Sequence, residues 1–120
     1  VKEIIHYIVR DRFRFMKENK DIIKIIFSEI LTNEQLKQKI IIGVEEVFKE
    51  RRLDEFFEYV KQNNPEINKE LTLPEIMRPI AGGLITYFIQ SFIVFDGVSC
   101  ETEEHDLDVI ERQIYNCWTI

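Results

Sequence analysis

The sequence predicts an all-α fold of five helices. Three observations carry this reading. Apolar residues recur at three- and four-residue spacing along nearly the whole chain; only four Gly and three Pro are available for turns; and two Thr-x-x-Gln/Glu signatures open helices after short polar breaks. A chain of 120 residues, 45% hydrophobic and 32% charged, can bury a core without disulfide or metal staples. It has no internal repeat, low-complexity tract or long linker, so residues 1–120 read as one domain.

The first helix is expected over Val1–Lys17, where Ile4, Ile5, Ile8, Val9, Phe13 and Met16 form a wide apolar side and Arg10, Asp11, Arg14 and Lys17 fill other positions. Asn19 can cap a second helix over Lys20–Leu31, whose many isoleucines leave a narrow polar stripe of Asp21, Lys24, Ser28 and Glu29 and so predict near enclosure. Thr32 and Gln35 have the spacing of a capping box, opening a third helix that runs to Gln62 as a long amphipathic rod with a charged break around Lys49–Arg52. Asn63-Asn64-Pro65 stops it.

Thr72 and Glu75 form a second capping box with Pro74 in the first turn, so a fourth helix runs from Leu73 to Asp96, kinked or delayed at Pro79 and ended by a left-handed Gly97. Ser99 or Thr102 can cap the last helix. Its first turn holds Glu103, Glu104 and Asp106, and its stripe is Leu107, Ile110, Ile114 and Trp118.

A net charge of −6 argues against contact with nucleic acid, which needs a basic patch. Cys100 and Cys117 form no Cys-x-x-Cys pair, and no secretion signal opens the chain, so a reducing cytoplasm is expected. Pro79–Phe95 carries no charge and reaches the lower limit for a membrane span, about 17 residues. Thr86, Gln90, Ser91 and the amphipathic helices on both sides argue instead for a core helix, with no membrane.

From Leu84 to Phe95 the fourth helix is apolar on nearly every face, more than a five-helix monomer covers easily. A two-fold dimer packing the last two helices against their mates as a four-helix bundle would bury the excess. The expected interface residues are Leu84, Phe88, Phe92, Phe95, Leu107, Ile110, Ile114 and Trp118. Gly82 and Gly83 point to a close helix crossing.

Other chemistry is sparse. Glu103, Glu104, His105, Asp106 and Asp108 include metal-ligand types, but the helix dipole accounts for acids in a first turn and no second His closes a site. His6 reads as a surface or rim residue, and Cys117, with only Arg112 basic nearby, as structural. There is no Ser-His-Asp ordering, phosphate loop or pair of carboxylates in an apolar setting, so no enzyme, cofactor or metal is expected. A pocket for a small hydrophobic or aromatic ligand would draw on Tyr7, Arg10, Phe27, Phe48, Phe56, Tyr87 and Gln90, although core packing accounts for each as well.

Phe15-Met16-Lys17-Glu18-Asn19, followed by Ile25-Ile26-Phe27-Ser28-Glu29, resembles the short helix pair of the C-terminal domain of TetR-family regulators, in the multidrug-repressor-like branch. Arg78-Pro79-Ile80-Ala81-Gly82-Gly83-Leu84 is similar to the start of that family's dimer helix. The resemblance spans nearly the whole chain. It implies an effector-binding and dimerisation domain whose last two helices make the homodimer and whose earlier helices enclose a ligand. The parent would be a cytoplasmic transcriptional repressor that binds DNA through a helix-turn-helix domain before Val1, and this segment would not bind DNA itself. The alternative is a small helical protein–protein interaction adaptor, whose apolar fourth and fifth helices receive a partner's helix.

Overall fold

The computed structural model describes the backbone of residues 1–120 and every side chain except those of Phe48 and Arg51. Among the described residues there are six α-helices: α1 Lys2–Glu18, α2 Lys20–Glu29, α3 Glu34–Arg51, α4 Leu53–Asn63, α5 Leu73–Phe88 and α6 Cys100–Trp118. A π-helical turn, Ile89–Val94, continues α5.

The fold is all-helical as predicted, but the long third helix is two. Arg52 adopts a left-handed conformation, φ 50° and ψ 48°, between α3 and α4. The charged run at Lys49–Arg52 offers no apolar residue to hold the rod straight, and the chain turns there. The helix starts follow local chemistry. Thr72 accepts from the Glu75 N–H while the Glu75 carboxylate accepts from the Thr72 N–H at 3.0 Å, completing the expected box, and that bonding holds the Glu75 carboxyl below the usual carboxylate range. Ser99 caps α6 by accepting from the Thr102 N–H. At α3 the cap is Asn33, accepting from the Leu36 N–H at 3.0 Å, and not Thr32, whose hydroxyl turns back to donate to the Glu29 carbonyl. At the far end of α5 the Phe95 N–H donates to the Gln90 carbonyl, one residue wider than an α-helical bond, and Gly97 follows at φ 109°.

The core is made where α1, α5 and α6 meet. Ile5, Val9 and Phe13 of α1 pack with Ile76, Ile80, Leu84 and Phe88 of α5 and with Leu107, Ile110, Ile114 and Trp118 of α6; Phe57 and Val60 of α4 join them. Trp118, 1% exposed, stacks edge-on to Phe57 and donates its indole N–H to the Ile76 carbonyl at 2.9 Å. The connection between α4 and α5 is tied to the C-terminus, since the Asn68 N–H donates to the Trp118 carbonyl and the Ile120 N–H to the Glu66 carbonyl. A Cβ at Gly83 would lie 3.2 Å from Ile110 Cγ2, so this glycine permits the close α5–α6 crossing, whereas Gly82 faces open space.

This packing corrects the expected interface. Leu84, Phe88, Phe92, Leu107, Ile110, Ile114 and Trp118 are all buried within one chain, and of the eight residues only Phe95 is exposed, at 55%. The stripe on α6 and the matching side of α5 face each other and α1, so they complete the intramolecular core. The outward face of α5 and of the turn that continues it carries Gly82, Thr86, Ile89 and Ile93 instead.

Other expectations shift for the same reason. Helix α2 is not enclosed: Ile23 and Phe27 pack on the core, while Ile22 and Ile25 are both more than half exposed. Both cysteines are exposed free thiols, so Cys117 has no place in the core. Leu73–Val94 is long and apolar enough to cross a membrane, but its inner side is the core just described.

The molecule measures 41 × 37 × 19 Å, two helix layers thick, with a radius of gyration of 15.5 Å. Its accessible surface of 8482 Å² is nearly a quarter above the roughly 6900 Å² of a folded chain of this mass.

Candidate functional site

The apolar side of α1 is too wide for the core alone. It divides into two stripes. Ile5, Val9 and Phe13 enter the core, while Ile4, Ile8 and Met16 turn toward α4 and α5 and form one wall of a cleft of about 810 Å³. Leu53, Phe56 and Phe57 of α4 form the opposite wall, Met77, Ile80, Ala81, Leu84 and Ile85 of α5 the floor, and Val47 of α3 one edge. The break at Arg52 positions this last contribution, because it lets α3 and α4 bend around the opening.

Polar groups are confined to the rim. Tyr7 stands at the mouth, 69% exposed, beside Glu3, Asp11 and Arg12. The Arg12 guanidinium donates to Asp11 at 2.7 Å and Arg14 does so at 3.2 Å. Those bonds, Arg12's foremost, hold the Asp11 carboxyl below its ordinary range. An apolar interior with a few polar groups at one end is what a small lipophilic ligand requires: burial of its body drives binding, and the rim orients it.

Two of the seven residues proposed from sequence, Tyr7 and Phe56, line this cleft. Phe27 lies elsewhere, edge-on to Phe88 at 5.7 Å between ring centroids. Tyr87 and Gln90 border a separate, shallow groove between α5 and α6. Phe48 lies outside the described side chains. Arg10 points the opposite way, toward α6, where its guanidinium lies 2.6 Å from Glu104, 2.5 Å from Asp108 and 3.3 Å from Glu111. The wall residues Ile4 and Ile8 and the floor residues Met77 and Ala81 were missed. The width of the α1 apolar side was the available signal for the first two.

Arg10 belongs to a charge zipper between the antiparallel helices α1 and α6. Lys17 meets Glu103 at 2.9 Å, Arg10 meets three carboxylates, His6 Nδ1 lies 2.6 Å from Glu111, and Lys2 sits over the Tyr115 ring. The acids at the start of α6 therefore answer the bases of α1 as well as the helix dipole. Among the described residues no cluster of His, Cys, Asp and Glu has the arrangement of a metal site.

Tyr87 donates to Asp106 at 2.8 Å. Burial, with the neighbouring carboxylate, pushes its phenol up to about 12. The folded state thus keeps this proton through a range in which an unfolded tyrosine, with a pKa of about 10, has lost it. The stabilisation is fully present below pH ~10 and falls as pH rises toward ~12. Titration of phenolate absorbance should show one of the four tyrosines ionising about two pH units late, and Tyr87→Phe should remove that step.

Compared with protein-family models, curated proteins and solved structures, the chain finds no match.

Proposed function

We propose that this chain is the effector-binding and dimerisation domain of a TetR-like transcriptional regulator, acting in the cytoplasm and taking a small hydrophobic or aromatic ligand between α1, α4 and α5. The observation that carries the reading is the cleft of about 810 Å³, walled by aliphatic and aromatic side chains and polar only at its rim. A ligand that fits one arrangement of α1 and α4 better than another shifts their population, and a DNA-binding domain joined ahead of α1 would follow. With a net charge of −6, the segment contributes sensing, and DNA contact belongs to that other domain.

The test is titration of the purified chain with the lipophilic fluorophore N-phenyl-1-naphthylamine. Saturable binding is expected, and Ala81→Trp, which puts an indole into the cleft from an exposed helical position, should weaken it by about tenfold or more, close to 1.4 kcal/mol. Equal binding by a folded variant would overturn the site.

The dimer part of the proposal rests on the outward face of α5 and the turn that continues it, where Ile89 and Ile93 are exposed beside the open Gly82. Gly82→Trp should leave the fold intact and reduce the solution mass measured by light scattering; an unchanged dimer would rule out this face. The adaptor reading draws on the same exposed isoleucines. It requires a chain that is monomeric alone and gains mass with a partner's helix.

A further inference from the structure

Large apolar side chains from four helices line the cleft and remain in water. Tyr7 of α1 is 69% exposed, and Val47 of α3, Phe56 of α4 and Ile85 of α5 are each 41–44% exposed. A mouth left open in this way leaves a lipophilic occupant unshielded on one side. The four helices are not equally fixed. Helices α1 and α5 are built into the core and α4 is held there by Phe57 and Val60, but no described side chain of α3 belongs to the core or packs on it.

Helix α3 is joined to α4 through Arg52 alone. That residue stands in the left-handed region, φ 50° and ψ 48°, which side chains other than glycine rarely adopt. Rotation about the backbone bonds of such a joint tilts a whole helix, and no core packing of α3 opposes it. The side of α3 that continues from Val47 is suited to closing on the mouth. Gly43 lies four residues before Val47 and Ile40 seven, on one face, with Val44 at its edge. Val44 is half exposed, and a Cβ at Gly43 would meet nothing within 4 Å, so there is space in front of this face. A glycine inside a helix lowers its stability relative to alanine. Its absent side chain lets a bulky group, such as the Tyr7 ring, approach the backbone.

We propose that α3 is a lid on the cleft. When a lipophilic molecule is bound, α3 tilts about Arg52 and brings Val44 and Val47 down onto Tyr7, Phe56 and Ile85. The ligand favours the closed arrangement because its open side is then buried together with the rim. This inference rests on the cleft being the binding site; it adds how the site closes.

The test is hydrogen exchange of the full chain, followed by mass spectrometry, with and without saturating N-phenyl-1-naphthylamine. Amides of α3 between Leu36 and Val47 should exchange about tenfold or more slowly with the probe bound, as a poorly supported helix gains packing. Stopped-flow release of the probe gives a second reading. Val44→Asp, which puts a charge on the closing face, should speed release by about tenfold, whereas Ile42→Asp, on the opposite side of α3, should leave it unchanged. Circular dichroism confirms that both variants stay helical. Saturable binding with α3 exchange unchanged, or release equally fast from the two variants, would overturn the lid and leave the cleft standing as a site. Absence of saturable binding would overturn both.

Discussion

Replacing Trp118 with alanine is expected to cost about 3–5 kcal/mol, enough to unfold much of the population of a domain with a total stability of 5–15 kcal/mol. Trp118 joins three parts of the molecule. It is 1% exposed, packs edge-on to Phe57 of α4, and donates to the Ile76 carbonyl at the start of α5. Its own carbonyl accepts from the Asn68 N–H in the long connection. Truncation therefore opens a cavity, removes the buried indole bond to the Ile76 carbonyl, and loosens the Ile67–Thr119 bridge that ties the C-terminus to the loop before α5. Urea denaturation should show the loss as a lower midpoint. Trp118→Phe, which keeps most of the volume and loses the indole N–H, should fall between the wild type and the alanine variant.

The second large effect is expected at Arg10. Arg10→Met keeps an unbranched apolar stem and removes the charge that faces Glu104, Asp108 and Glu111. Breaking a fully buried ion pair costs about 3–5 kcal/mol. Here Glu104 and Asp108 are largely exposed while Glu111 is only 14% exposed, so solvent screens part of the loss and about 2 kcal/mol is expected. Although partial burial opposes it, the bonds to Glu104 and Glu111 raise the already high pKa of Arg10, so the guanidinium stays charged throughout the working range. Most of the loss should be recovered by adding Glu111→Gln, which removes the carboxylate left without its partner. If the double variant is as unstable as the sum of the singles, the two residues do not act as a pair.

Much of the helical frame was legible in local chemistry. The Thr72–Glu75 box, the Ser99 cap and the periodic stripes on α1 and α6 each depend on residues within a few positions of one another, and the structure has them; the expected stop at Gly97 comes two residues late, since the helical turns end at Val94 with Phe95 extended. What the sequence left open is which neighbour each stripe meets. The stripe of Leu107, Ile110, Ile114 and Trp118 is equally suited to a symmetry mate or to α1 and α5, and only the tertiary arrangement gives it to the latter. The same ambiguity placed Arg10 and Tyr87 with a ligand, when Arg10 pairs across to α6 and Tyr87 bonds Asp106. The cleft was half legible. Tyr7 and Phe56 were visible as aromatics on otherwise apolar faces, but the contribution of Ala81 and Met77 depends on how α4 and α5 face each other after the turn at Arg52.

The account depends above all on the cleft between α1, α4 and α5 being a binding site. Methyl-resolved NMR of the isotopically labelled chain during titration with N-phenyl-1-naphthylamine tests this most directly. The account predicts saturable shifts at the methyl groups of Ile4, Ile8, Ile80 and Leu84, which line the cleft, with Ile22 and Ile93, exposed on other surfaces, unchanged. Shifts concentrated at Ile22 and Ile93, or none that saturate at the cleft, would contradict it.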